Sequence, residues 1–247
     1  MTDYPKGFKE PPFGITVIWG KRKAGKTIAS LNSPWQPVHT IDVEFSAQDY
    51  EKEFKTVQEL GLIKNPFTRE SCLTWKDFTN ETTRIITGKD MYGTLILDTM
   101  GQITTWMAAS QFGKVSDLKA QKMSQVVWGE VRDRLRDMIL MLQKKTKLLI
   151  LTAHEKEYEG VKSPRANPAV LELASLSIQL TKGLNQTVPD GIVDIARLPV
   201  YPPRIPQFTI SKLLTYHKKP ADWDNLKDDE MMNETTIPIP DQEDQDG

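Results

Sequence analysis

The chain has 247 residues, 38% hydrophobic and 26% charged, a size and balance that suit one α/β domain with a sizeable core. Its net charge of −1 hides an asymmetry: residues 1–220 carry 31 bases against 23 acids, and 221–247 carry one base against 10 acids. No apolar run approaches bilayer length, the N-terminus has no secretory pattern, and the single Cys72 excludes an internal disulfide, so a cytoplasmic protein with no membrane association is expected.

Residues 1–14 read as an extended lead-in, since Pro5, Pro11 and Pro12 discourage helix. Ile15-Thr16-Val17-Ile18-Trp19 is a β-branched, apolar run and predicts a buried strand. It feeds Gly20-Lys21-Arg22-Lys23-Ala24-Gly25-Lys26-Thr27, the pattern G-x-x-x-x-G-K-T of a phosphate-binding P-loop, and Ile28 to Leu31 continues as a helix before Pro34. Strand, glycine-bearing loop and helix is the context this motif needs. A second strand is predicted at Val38 to Val43, then a helix over 47–60 ended by Gly61, then a short helix from Asp77 to about Thr87. Gly93 to Asp98 is a continuous apolar strand that ends in an acid. Residues 102–112 read as helix and 113–122 as a polar loop. Over 124–145, Val127, Val131, Leu135, Met138 and Leu142 recur at helical spacing. Leu148 to Thr152 is a further buried strand, and the charged stretch 155–168 reads as a mobile loop. Residues 169–181 divide ambiguously between helix and strand. Ile192 to Ala196 and Phe208 to Leu214 look like late strands across a proline-rich turn. The order predicts an α/β fold: a mostly parallel sheet flanked by helices, with an antiparallel extension near the C-terminus. Residues 15–220 would form the domain, and 221–247 a disordered acidic tail that solubilises the chain or competes with nucleic acid for its basic body.

The P-loop residues Gly20 to Thr27 are the nucleotide-binding candidates. Lys26 would reach the β- and γ-phosphates, and Thr27 would sit on Mg²⁺. Asp98, at the carboxyl end of a strand, is the second metal candidate, with Thr99 beside it as a water ligand or helix cap. Glu44, directly after the second strand, is a candidate to orient the water that attacks ATP; Asp42 competes for that role or caps the next helix. His154 follows a strand end and is placed to sense the γ-phosphate, whereas His39 and His217 read as structural. Trp19 reads as packing. The basic residues at 132–136 alternate with acids and read as a solvated helix face. Lys144, Lys145, Lys147, Lys156, Lys162 and Arg165 are the better candidates for phosphate contacts with DNA.

The order of these motifs resembles the RecA-like ATPases: a P-loop, a strand ending in Asp42-Val43-Glu44, a strand ending in Leu97-Asp98-Thr99, and a strand ending in Thr152-Ala153-His154. The resemblance implies a RecA-like P-loop NTPase core, with Glu44 as the catalytic carboxylate and ATP with Mg²⁺ as cofactors. Trp128-Gly129-Glu130-Val131 opening a long helix, and Leu151-Thr152-Ala153-His154-Glu155-Lys156, are more narrowly similar to core-only phage nucleotide-binding proteins of the Sak type. That likeness implies a homo-oligomer, single-stranded DNA as partner, a recombination or annealing role, and a further recombination partner such as a single-strand-binding protein. Two other readings stay open: a small-molecule kinase with 155–168 as its lid, and a non-hydrolysing scaffold that binds nucleotide.

Overall fold

The computed structural model describes residues 11–112, 125–183, 186–197 and 201–218. The acidic segment 221–247, the loop 113–122 and the side chain of His217 lie outside them. Six strands run parallel: β1 (Ile15–Gly20), β2 (Val38–Asp42), β3 (Phe67–Ser71), β4 (Tyr92–Asp98), β5 (Thr146–Tyr158) and β7 (Leu176–Thr181). β8 (Asp190–Ala196) and β9 (Arg204–Ile205) add antiparallel strands, giving the order β3-β2-β4-β5-β1-β7-β8-β9. β6 (Val161–Pro164) lies off this path and pairs with β5.

Successive side chains on a strand point to opposite faces, and this sheet is apolar on both. Val17, Leu95, Leu97, Leu149 and Leu151 pack into one layer. Its helices are α4 (Trp75–Thr87), α5 (Met100–Phe112), α6 (Gln125–Gln143) and α7 (Pro168–Leu173). Ile18, Ile96, Leu148 and Ile150 pack into the other, beneath α1 (Lys26–Leu31), α3 (Phe54–Glu59) and α8 (Ile210–Lys218). The stripe predicted on α6 is buried at Val131, Leu135, Met138 and Leu142, while Arg132, Arg134 and Arg136 are exposed. Among the described residues no helix is long and apolar enough to cross a membrane.

Three expectations need correction, and one strand has no counterpart in the sequence reading. The helix expected over 47–60 is two short ones, α2 (Gln48–Lys52) and α3, because the backbone of Glu53 leaves the helical region. Phe67–Ser71 is a strand that its charged, five-residue sequence conceals. The segment 155–168 begins as a hairpin: Tyr158 faces Val161 across a two-residue loop, Glu159-Gly160, with φ of 51° and 76° at the loop. Two positive φ values make the tight turn whose twist suits a hairpin. Phe208 to Leu214 is not a strand; Ile210, Leu213 and Leu214 are buried at i, i+3, i+4, the period of a helix.

Cys72 follows β3, fully buried, and burial pushes its thiol up to about 12. His39 is packed as expected of a structural residue: Nε2 lies 2.9 Å from Glu81 Oε1 and Nδ1 lies 2.8 Å from Thr68 Oγ1.

Candidate functional site

Strand register sets the site. Gly20 is level with His154 across the β1–β5 pair, and Asp42 is level with Asp98 across the β2–β4 pair. All four lie at the carboxyl edge of the parallel sheet, where open α/β sheets bind ligands. The loop from Gly20 to Gly25 leaves β1 there. Gly20 has a φ of 154°, and a Cβ on it would lie 2.5 Å from the Leu180 carbonyl oxygen, so only glycine fits. Lys23 at φ 63° and Gly25 at φ 91° give the alternating backbone that gathers N–H groups into an anion-binding nest. Gly25 then caps α1, and Ala29 N donates to the Gly25 carbonyl.

Lys26 is 6% exposed. Its ammonium donates to the carbonyls of Gly20 (3.3 Å) and Lys21 (3.0 Å) and lies 3.3 Å from His154 Nδ1. Burial lowers its pKa, against the pull of Asp98 and Glu44. His154 Nε2 lies 2.7 Å from Glu44 Oε2, and Thr99 donates to Glu44 Oε1 at 3.0 Å. An ammonium can only donate and a carboxylate can only accept. The His154 ring therefore accepts at Nδ1 from Lys26 and donates from Nε2 to Glu44.

The metal candidates also meet. Thr27 Oγ1 donates to Asp98 Oδ2 at 2.8 Å and lies 3.2 Å from Ser46 Oγ, and Ser46 donates to the same Asp98 oxygen. Thr152 donates to Asp98 Oδ1. Sequence reasoning missed Ser46 and Thr152. A hydroxyl in a loop, or inside an apolar strand, carries no motif of its own; only the two-residue step from Thr152 to His154 on one strand face hinted at it.

Asp42 is fully buried and turned into its own loop. It accepts from the backbone N–H groups of Glu44 (3.3 Å), Ser46 (3.0 Å) and Ala47 (2.8 Å). Burial, with Asp98 nearby, raises its pKa against those three donors. It shapes the turn that presents Glu44 and Ser46. Replacing Asp42 with alanine leaves three donors without their acceptor and is expected to destabilise the fold by about 1–3 kcal/mol in urea unfolding.

The hydrogen bond from His154 lowers the pKa of Glu44 below the ordinary value of 4.5. Because the folded value is depressed, the pair's stabilisation is complete above pH 4.5 and lost as pH falls through that lower value. Glu44→Gln is expected to remove this part of the acid sensitivity, read from melting temperatures between about pH 3 and 6.

The six basic DNA candidates do not form one surface. Lys156, Lys162 and Arg165 sit on the hairpin or just after it, and Arg165 N donates to the His154 carbonyl at 2.6 Å. Lys144, Lys145 and Lys147 lie at the start of β5, at the amino edge, where Lys145 Nζ donates to the Gly88 carbonyl. From Lys147 to Lys156 an extended strand spans about 30 Å.

The residues suit a nucleoside triphosphate with Mg²⁺. The glycine cradle is closed to any side chain, and the hydroxyls of Thr27 and Ser46 with the Asp98 carboxylate are hard oxygen donors. Among the described residues no cluster of three His, Cys, Asp or Glu could hold a metal without help, which suits a cation carried in with phosphate. A cleft of about 470 Å³ joins these groups, within the range of small-molecule sites.

No curated protein matches the chain in sequence. Among solved structures, the RadB recombinase is similar at a TM-score of 0.51 and 14% identity, over 75% of this chain and 83% of that one. A KaiC-like protein from the hyperthermophilic archaeon Pyrococcus horikoshii OT3 aligns at a TM-score of 0.44 and 16% identity, over 75% and 81%. The fold is that of the RecA-like P-loop NTPases, a mostly parallel sheet between helices with antiparallel strands at one side. The AAA domain family matches residues 15–202, most of the chain and every residue from Gly20 to Arg165 named above, and the protein belongs to that family.

Proposed function

We propose that the protein is a Mg²⁺-dependent ATPase that acts on single-stranded DNA in recombination or annealing. One observation carries this reading: Lys26, Thr27, Glu44, Asp98 and His154, distant in sequence, converge at one rim of the sheet. Lys26 would leave the carbonyls of its own loop for the β- and γ-phosphates. Thr27, Asp98 and Ser46 would hold the cation, which supplies charge neutralisation on the phosphates. Glu44, ionised and hydrogen-bonded from two sides, would orient the attacking water. Its lowered pKa makes it a weak proton acceptor, so positioning and electrostatics, rather than full proton abstraction, are its contribution. His154 touches both Lys26 and Glu44, so displacement of Lys26 by phosphate would be felt by the water-orienting carboxylate.

Lys156, Lys162 and Arg165 lie on the same strand–hairpin path as His154 and are the proposed DNA contacts; Lys144, Lys145 and Lys147 face the other edge and are not part of that contact. The ordered hairpin makes a kinase lid a poorer reading of this segment. The protein would work in the cytoplasm, as a homo-oligomer, in a phage recombination setting and alongside a partner such as a single-strand-binding protein. The test is the ATPase rate with and without single-stranded DNA. Stimulation of several-fold is expected, with DNA affinity falling steeply between 50 and 200 mM salt. An ATPase indifferent to DNA refutes the DNA assignment, and nucleotide binding without turnover favours a scaffold.

A further inference from the structure

The phosphate chemistry occupies one end of the cleft. Away from those groups the cleft is lined by Ile28, Val188, Pro189 and Phe208, with hydroxyls at Thr187, Thr209 and Ser211, each able both to donate and to accept. The wall stands where a nucleotide would leave the P-loop: the Pro189 ring comes within 3.3 Å of where a Cβ on Gly25 would be. Groups that read one base against another are scarce there. Among the described residues, Glu44 and Asp98 are the only acids that line the cleft, and both are engaged at the phosphate end. The Asn32 amide is spent on the fold: Nδ2 donates to the carbonyls of Ile28 and Leu62, and Oδ1 accepts from Lys64 N. Lys64 and Lys182 line the cleft too; an ammonium can donate to N7 of either purine or to O6 of guanine, but both are exposed, so water competes for those contacts and the preference they give is small.

Resting on the nucleotide reading above, we infer that this end is a slot for a purine base, held by apolar contact instead of a pattern unique to one base, so that ATP and GTP are accepted alike. An apolar pocket discriminates weakly between similar ligands, whereas a site built to hydrogen-bond one of them rejects the other by 10⁴–10⁵. The wall is positioned by Asp190. This carboxylate, 5% exposed, ties the turn before β8 to the corner at 204–207. Oδ1 accepts from Gln207 N at 2.8 Å, and Oδ2 accepts from Arg204 at 2.9 Å and from the Gln186 amide at 3.4 Å. Phe208 N closes the corner by donating to the Pro189 carbonyl at 2.6 Å. Asp190 touches no phosphate-end residue in these contacts; it is a positioning residue, setting Val188 and Pro189 against Phe208.

The experiment is calorimetric titration of the full chain with the Mg²⁺ forms of ATP, GTP and inorganic tripolyphosphate, for wild type and Asp190→Asn. ATP and GTP are expected to bind within about tenfold of each other, and both at least about tenfold tighter than tripolyphosphate. Asp190→Asn is expected to weaken both nucleotides about tenfold and leave tripolyphosphate unchanged, a split that general loosening of the fold would not produce. Wild-type protein photolabelled with 8-azido-ATP covers the case of a variant that fails to fold: the label is expected in peptides bearing 187–189 or 208–211. A preference above about a hundredfold for one purine overturns the inference, as does tripolyphosphate binding as tightly as ATP, an equal loss for all three ligands in Asp190→Asn, or label confined elsewhere. Binding of none of the three by wild type overturns the nucleotide reading itself, and the slot with it.

Discussion

Glu44→Gln is expected to keep ATP bound while slowing its hydrolysis by about 10²–10⁴-fold. The substitution preserves shape, so the amide can still accept one of the two hydrogen bonds that now reach the side chain from Thr99 and His154. What it removes is the negative charge that, in the proposed role, would face the attacking water. It also places an N–H₂ group against a donor, which turns the side chain away from its present geometry. Steady-state turnover, with ATP affinity measured separately, checks this. Asp42→Asn is the companion variant: Asp42 faces its own loop's N–H groups, so its cost should appear first in stability. Wild-type turnover in Glu44→Gln would remove this residue from the chemistry, and a larger turnover loss in Asp42→Asn than in Glu44→Gln would reverse the assignment.

Lys26→Ala is expected to weaken ATP binding by at least about a hundredfold, or about 2.7 kcal/mol. Its ammonium is buried among carbonyls and beside His154. Burial lowers its pKa, so in the nucleotide-free protein the charged form carries a desolvation cost. A triphosphate would offset that cost through short, charge-assisted hydrogen bonds. The same argument predicts that the variant, without nucleotide, melts at the wild-type temperature or slightly above it. Calorimetric titration and thermal melts together check the pair of outcomes. Unchanged affinity would break the phosphate assignment; a large drop in melting temperature would show that Lys26 holds the loop together instead.

Much of this site was legible because its residues sit where the chain changes element. Lys26 opens a helix after a glycine loop, Asp98 ends an apolar strand, and Glu44 follows another; each position is visible as a switch in the hydrophobic pattern. His154 was found by the same logic, although β5 does not stop there but runs on to Tyr158. That continuation was hidden because its last residues, from Glu155 to Tyr158, are charged or exposed, and because Glu159-Gly160 is not a common hairpin-turn pair. The late helix α8 was misread because Phe208, Thr209 and Ile210 have strand-like side chains, while the deciding i, i+3, i+4 spacing begins only at Ile210. The partners of Asp98 were illegible in principle: that Ser46 and Thr152 share one carboxylate depends on the register of three strands, which no local pattern encodes. The apolar part of the cleft is of the same kind, built from α1, the turn before β8 and the corner before α8.

Cys72 has a practical consequence. It is the chain's single cysteine, it is buried, and its thiol is pushed up to about 12, so little thiolate exists near neutrality to meet an alkylating reagent. The natural sequence is thus a nearly blank background for site-specific labelling. A cysteine introduced at Tyr158, 72% exposed at the hairpin tip, would take a maleimide dye by itself. Fluorescence from that single point could then follow what the hairpin meets, with no need to engineer the native sulfur away.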